Sequence, residues 1–325
     1  MPTRRRAFVV LACLALAALV SLTLALAVGN LAFTPLDTLR AALGMDDGIT
    51  GEVIRRLRLP RALSGFACGG LLALAGALMQ VLLRNPLADP YVLGISGGAG
   101  VGALLAMLLG LSVFGINSFA LIGAFAAMLL VFGLAHGDGS WTQTRLLLTG
   151  VIVAAGCGAL ISLILSIAPD AQLHGMLFWL MGDLSQAIDP LPTLLILLLA
   201  LAVALPFARE LNLLARGIEA AQALGVPVRR LRFIVYFLAS LATAAAVTSA
   251  GAIGFVGLVV PHLMRLALGN DQRLLLPASA LAGGSLLVCA DTLARVVIAP
   301  EQLPVGVLTA LIGVPVFLFL LNRRA

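Results

Sequence analysis

Long apolar runs alternate along this chain with short polar islands, and the runs have the length of helices that cross a bilayer. A spanning helix needs roughly 17 to 25 apolar residues at 1.5 Å rise each. Ten runs answer to that pattern: 7–28, 62–83, 93–110, 114–135, 146–168, 191–208, 232–250, 253–268, 274–297 and 304–322. The eighth is the shortest and is rich in glycine. The pattern predicts an all-α membrane protein of about ten transmembrane helices in one domain, 1–325. A signal peptide is the other reading of the first run, since Arg4, Arg5 and Arg6 precede it and Ala25-Leu26-Ala27 offers a cleavage site. Its apolar stretch exceeds the roughly 7 to 15 residues of a signal core, which favours an uncleaved span.

Two islands break the pattern in different ways. LLRNPLADPYVLGISGGAG (82–100) places Pro86, Pro90, Arg84, Asn85 and Asp89 between apolar runs, followed by Gly97, Gly98 and Gly100. Pro86 and Pro90 each remove a backbone donor and push the preceding residue out of helical geometry. Freed backbone at membrane depth is tolerated only inside protein or beside water. The segment is therefore either a surface loop or a broken helix beside a path. ARELNLLARGIEAAQALGVPVRRLR (208–232) is the longest island on its side. Glu219 to Leu224 can form a short amphipathic helix, with Gly225 as its left-handed C′ residue and Pro227 as the stop. Such a helix either transmits force from a partner or is a plain loop anchored by charge.

Composition agrees with a bilayer as solvent. Of 325 residues, 62% are hydrophobic and 10% charged, against about 25% charged in soluble domains. All 20 basic residues are arginine. A P-loop needs a lysine at the β- and γ-phosphates, so this chain does not hydrolyse ATP by that route. With the N-terminus inside the cell, 14 arginines fall on the cytoplasmic side. Six fall outside, namely Arg40, Arg55, Arg56, Arg58, Arg61 and Arg295. That bias follows the positive-inside rule and places both termini in the cytoplasm. It also accounts for the net charge of +6 without nucleic acid.

The outside exceptions cluster in RRLRLPR (55–61). Arginine grips carboxylates in a bidentate fork, so the cluster suits an acidic partner as well as it suits lipid headgroups. Cys13, Cys68, Cys157 and Cys289 form no CxxC, and His136, His174 and His262 show no metal-ligand spacing, so no metal or cofactor is expected. AGALMQVLLRNPLADPYVLG (75–94) aligns without gaps to AGAIGFVGLVVPHLMRLALG (250–269) with eight identities, as repeated halves of transporters do.

Six blocks keep a recognisable order: RLPR (58–61), GALMQ (76–80), RNPLADPYVLGISGGAGVGA (84–103), GIEAAQALGV (217–226), AGAIGFVGLVVPH (250–262) and LPVGVLTALIGVPVF (303–317). Together they resemble the iron–siderophore, haem and cobalamin permeases of ABC importers, the membrane subunits of type II uptake systems. The resemblance implies a multi-pass homodimer in the bacterial inner membrane with one path at its centre. Its implied partners are two cytoplasmic ATPase subunits and a periplasmic binding protein. It further implies that Arg58, Arg61 and Arg295 dock the binding protein, with Arg56 a further candidate. Glu219, Ala220, Ala221, Leu224 and Gly225, within a coupling segment of about 209–231, would enter a cleft of the ATPase. Gln143 and Thr144 fall at the gate positions, and Asn85 and Pro86 lie along the path. The commonest cargo of such permeases is a ferric siderophore; cobalamin and haem are the alternatives. The chain is then no enzyme. A rival reading, an ion-coupled carrier, needs a buried acid, for which Asp291 is the one candidate.

Overall fold

The computed structural model describes residues 4–29, 33–46, 48–135, 142–185 and 189–322; His136, Arg323 and Arg324 lie outside it. Among the described residues there is no strand. The face of the bundle where the first helix ends is called the upper face. Helix α1 (Arg4–Ala27) rises to it. There α2 (Pro35–Ala42), α3 (Ile49–Glu52) and a π-helical turn (Val53–Arg58) form a compact connection. The turn runs straight into α4 (Leu59–Leu82), which descends. Helix α5 (Ile95–Leu108) rises, α6 (Val113–Ala135) descends and α7 (Gln143–Ile167) rises. A half-length helix, α8 (Asp170–Met181), follows at the upper face, and α9 (Leu191–Ala204) descends. Helices α10 (Ala208–Arg216) and α11 (Ile218–Ala223) occupy the lower face. Then α12 (Val228–Ala250) rises, α13 (Val256–Leu268) descends, α14 (Gln272–Val296) rises and α15 (Val305–Asn322) descends.

All ten expected runs are helices, and the differences are informative. Helices α5 and α13 have 14 and 13 residues, about 20 Å of rise, short of about 30 Å of hydrocarbon. Each follows a break in the helical backbone. The break before α13 is Gly251 to Phe255, with φ of 69° at Gly251 and 68° at Phe255. The run 253–268 is thus a half-length helix entered from an unwound segment. Helix α8 falls outside the ten runs, because its twelve residues are fewer than a span needs.

Helix α4 is the centre of the molecule. All but a few of its side chains are buried, and α9, α12, α13 and α14 pack around it. In lipid the hydrophobic effect gives helices no reason to associate, so close van der Waals contact must do it. Small residues permit that contact. A Cβ on Gly69 would stand 2.3 Å from the Gly283 carbonyl oxygen of α14, and one on Gly283 would stand 2.4 Å from that of Gly69. Gly98 and Gly123 make the same reciprocal approach between α5 and α6. Gly110, by contrast, is a turn residue with φ of 67° and no neighbour for an added Cβ. Helices α1, α6, α7 and α9 leave broad apolar faces exposed, as lipid contact requires.

The two similar segments, 75–94 and 250–269, fold differently. Residues 75–82 complete α4, whereas 251–255 are unwound; 84–94 form a connection, whereas 256–268 are α13. Gly76 sits inside a helix with its Cα against the Gly257 backbone, while the matched Gly251 starts a break. The likeness of sequence does not mark a repeated substructure in that register.

Substituting Gly69 by leucine forces α4 and α14 apart. Overpacking of this kind costs about 1–3 kcal/mol, so thermal unfolding in detergent should shift down markedly. Gly133→Ala, where an added Cβ meets nothing within 4 Å, should leave it nearly unchanged.

Candidate functional site

The arginines of the upper face are not equivalent. Arg58 is only 7% exposed. Its Nη1 donates to the carbonyl oxygens of Leu26 (2.7 Å) and Ala27 (3.2 Å), and its guanidinium lies 4.7 Å from the centre of the Phe33 ring. Those carbonyls belong to the last turn of α1, where the helix itself supplies no partners. Within the chain, then, the Arg58 side chain closes the end of α1. Arg61 spreads its fork over Asp291. Nε donates to both carboxylate oxygens at 3.0–3.1 Å, Nη2 to Oδ1 at 2.8 Å, and Nη1 to Gln302 Oε1 at 2.8 Å. Arg295 places Nε 3.3 Å from Asp291 Oδ2 and donates from Nη2 to the Ala25 carbonyl at 3.2 Å.

Asp291 is therefore a buried anion between two arginines, its side chain 4% exposed and theirs 13% and 12%. The cluster ties α4, α14 and α1 together and leaves one surplus positive charge near the surface. Arg56 differs: it is 78% exposed and, among the described residues, pairs with Glu52 at 3.4 Å.

On the lower side, the segment after α4 is both a loop and a buried break. Arg84, Asn85 and Leu87 are exposed, and Ala88, Pro90 and Leu93 are buried. Arg84 has a φ of 45°. The Asn85 side chain accepts the Leu87 N–H at 2.9 Å, and Pro86 is half-buried beside it. Gln143 joins this group. Its Nε2 donates to the Leu82 carbonyl at the end of α4 (3.2 Å), and its Oε1 accepts from Arg84 (3.3 Å). Thr144 is exposed. The structure thus brings Gln143, Arg84 and Asn85 together and leaves Thr144 outside the contact.

The buried half of the break is satisfied by one side chain that the sequence did not single out. Tyr91 lies in a 3-10 turn, Pro90–Leu93, after Asp89, whose carboxylate accepts the Tyr91 N–H at 2.8 Å. The Tyr91 hydroxyl donates to the Ile253 carbonyl and accepts the Ile253 N–H, both at 2.9 Å. One phenol so satisfies both polar groups of a residue in the other break.

At the lower face α11 ends as its sequence requires. Gly225, with φ of 79°, donates to Gln222, and Val226 donates to Ala221, a Schellman closure. Ala221 is buried, while Glu219, Ala220, Leu224 and Gly225 are exposed. A helix that presents an acid and a leucine to solvent has a surface without a partner inside the chain. At the upper side, a cavity of about 350 Å³ lies between α5, α6, α8 and α12. Asn117, His174, Trp179, Asp183 and Ser249 line it. No group of three or more potential metal ligands occurs among the described residues.

These features define a multi-pass membrane protein, with a charged anchor at one face and an exposed short helix at the other. The FecCD transport family model matches residues 16–323, and the chain belongs to that family of ABC importer permeases. It is 44% identical over 280 residues to the hemin transport system permease HmuU of Yersinia pestis, covering 82% of each chain. It is 43% identical over 275 residues to the cobalamin import permease BtuC of Halobacterium salinarum, covering 84% of this chain and 74% of that one. Among solved structures, one described as an inward-facing metal-chelate type ABC transporter superposes with a TM-score of 0.87. It is 32% identical, with 96% and 98% of the two chains covered. PsaBC from Streptococcus pneumoniae, at 20% identity and a TM-score of 0.56, shares the fold.

One outcome checks this geometry. Asp291→Ala leaves two arginines facing each other half-buried, and breaking such a cluster costs about 3–5 kcal/mol; denaturation in detergent should show the loss.

Proposed function

We propose that this permease carries a metal chelate of the macrocycle class, a corrinoid or haem, delivered by a soluble binding protein outside the inner membrane. The observation that carries the cargo reading is the similarity above 40% to permeases named for cobalamin and for hemin, over more than four-fifths of this chain. Their names do not speak for a siderophore, which stands as the second cargo, supported by the metal-chelate transporter of the same fold. In this reading the upper face is external and both termini are cytoplasmic. Two copies form one path in a single domain per chain, and two ATPase subunits bind the lower face.

The side chains take roles that their placement supports. Arg56 is the exposed docking arginine, and the surplus charge of Arg61 and Arg295 over Asp291 extends the basic surface. Arg58 acts indirectly, by fixing α1 beside them. Glu219, Ala220, Leu224 and Gly225 present the coupling surface, with Ala221 as its buried root. Gln143, Asn85 and Pro86 sit where α4 ends above the cytoplasm and hold the lower end of the path. Thr144, exposed beside them, faces it. Carrying a large polar chelate through about 30 Å of hydrocarbon needs no ion site in the chain. Asp291 is engaged by two arginines, which leaves it no role in ion coupling.

The test is uptake into proteoliposomes holding the permease, its ATPase and its binding protein. Cyanocobalamin or haemin should accumulate only with ATP. Accumulation of ferric desferrioxamine in place of either macrocycle would overturn the cargo assignment. Uphill uptake without the ATPase would overturn the mechanism. Arg56→Glu should weaken binding-protein docking about tenfold with the complex still assembled, as read by surface binding.

A further inference from the structure

With α11 as the coupling surface, its movement must leave the lower face through the helices it touches. Among the described elements, α11 packs closely on α10 and α12. Towards α10 the connection is a single residue, Gly217, with φ of 140°. Helix α10 is itself rooted in the core by Leu211 and Leu214, exposed 0% and 1%. It packs on α14 and α4.

One side chain of α10 makes a two-point connection to the start of α14. Asn212 donates from Nδ2 to Asp271 Oδ1 at 2.9 Å and accepts the Gln272 N–H at its Oδ1 at 2.8 Å. Asp271 is also the N-cap of α14, where the same oxygen accepts the Arg273 N–H at 3.1 Å. The Gln272 N–H is one of the first-turn donors that a helix cannot satisfy itself. Asn212 is a primary amide and can fill both roles at once, donor to the cap and acceptor from the first turn. The contact is partly buried, where such bonds are stronger than in water.

Helix α14 then runs 25 residues to the upper face. There Asp291 and Arg295 hold Arg61 and the end of α1. On the docking role proposed above, the far end of α14 is part of the basic docking surface.

We infer that Asn212 is the positioning residue that joins the coupling element to α14, so that α14 carries the nucleotide state to the docking surface. The inference rests on the proposed role of α11. Because linkage is reciprocal, the same joint would carry binding-protein docking back to the ATPase.

The experiment uses the full complex of permease, ATPase and binding protein in nanodiscs. It reads the ratio of binding-protein affinities with ADP and with the non-hydrolysed analogue AMP-PNP. Asn212→Asp keeps the acceptor for Gln272 but sets two carboxylates against each other. It should lower that ratio at least fivefold, with ATPase subunits still bound. The exchanged pair, Asn212→Asp with Asp271→Asn, restores one donor and one acceptor with their places reversed, and should recover the ratio. A purely structural joint would lower assembly or melting temperature without moving the ratio. Gly225→Val separates the two claims, since it strikes α11 directly. If Gly225→Val abolishes the ratio and Asn212→Asp does not, α12 carries the signal and the joint is wrong. If neither changes it, the coupling role of α11 itself is wrong. If Asn212→Asp lowers the ratio and the exchanged pair fails to recover it, the hydrogen bonds described are not the joint.

Discussion

Lipid offers no hydrogen bonds, and everything in this molecule answers to that. Wherever the helical backbone stops at depth, another part of the same chain must take over its polar groups. Among the described residues, such breaks precede α5 and α13. They are not solved separately: the Tyr91 hydroxyl supplies both a donor and an acceptor to Ile253. A water molecule could do the same chemistry, but it would not fix the spacing of two helices. The phenol does, because it is covalently part of the first break while it satisfies the second. Close packing of α4 against α13, with Gly76 on the Gly257 backbone, is what brings the two breaks within reach.

The same economy appears at the helix ends. Arg58 and Arg295 cover the last carbonyls of α1, Gln143 covers one at the end of α4, and Asn212 and Asp271 cover the start of α14. Arg58, Arg295 and Gln143, which sequence reading turns towards a partner or the path, thus also have a duty within the chain. For Arg58, 7% exposed, the inner duty keeps the group buried. For Arg56, 78% exposed, the outer face is open. Burial, which no motif encodes, separates residues that RRLRLPR makes look alike.

The span pattern is legible in the sequence because long apolar runs are hard to hide from water in any other fold, and all ten appear as helices. Gly225 and Pro227 are legible too, since a left-handed turn at that point has a specific chemical demand. What is not legible depends on residues far apart. Asp291 lies 230 positions from Arg61, and nothing in the DTLAR segment says that its acid will serve an arginine in α4 before one in its own helix. Helix α8 is hidden by its length, and the short α5 and α13 by apolar runs that continue through the breaks preceding them. Tyr91 reads as one more residue of a proline-rich stretch, because its partner lies 162 positions on.

The closure of α1 has a consequence for the order of events during synthesis. Its last carbonyls meet Arg58 within about 30 residues, but Arg295 arrives 270 residues later. At about 5–20 residues per second, that is a delay of roughly 15 to 50 s. Until then the tip of α1 is held by Arg58 and by the Phe33 N–H, which also donates to the Ala27 carbonyl at 3.3 Å. The emerging chain therefore carries its own temporary stopper, and the ninth span to be made is the one that seals the first in place.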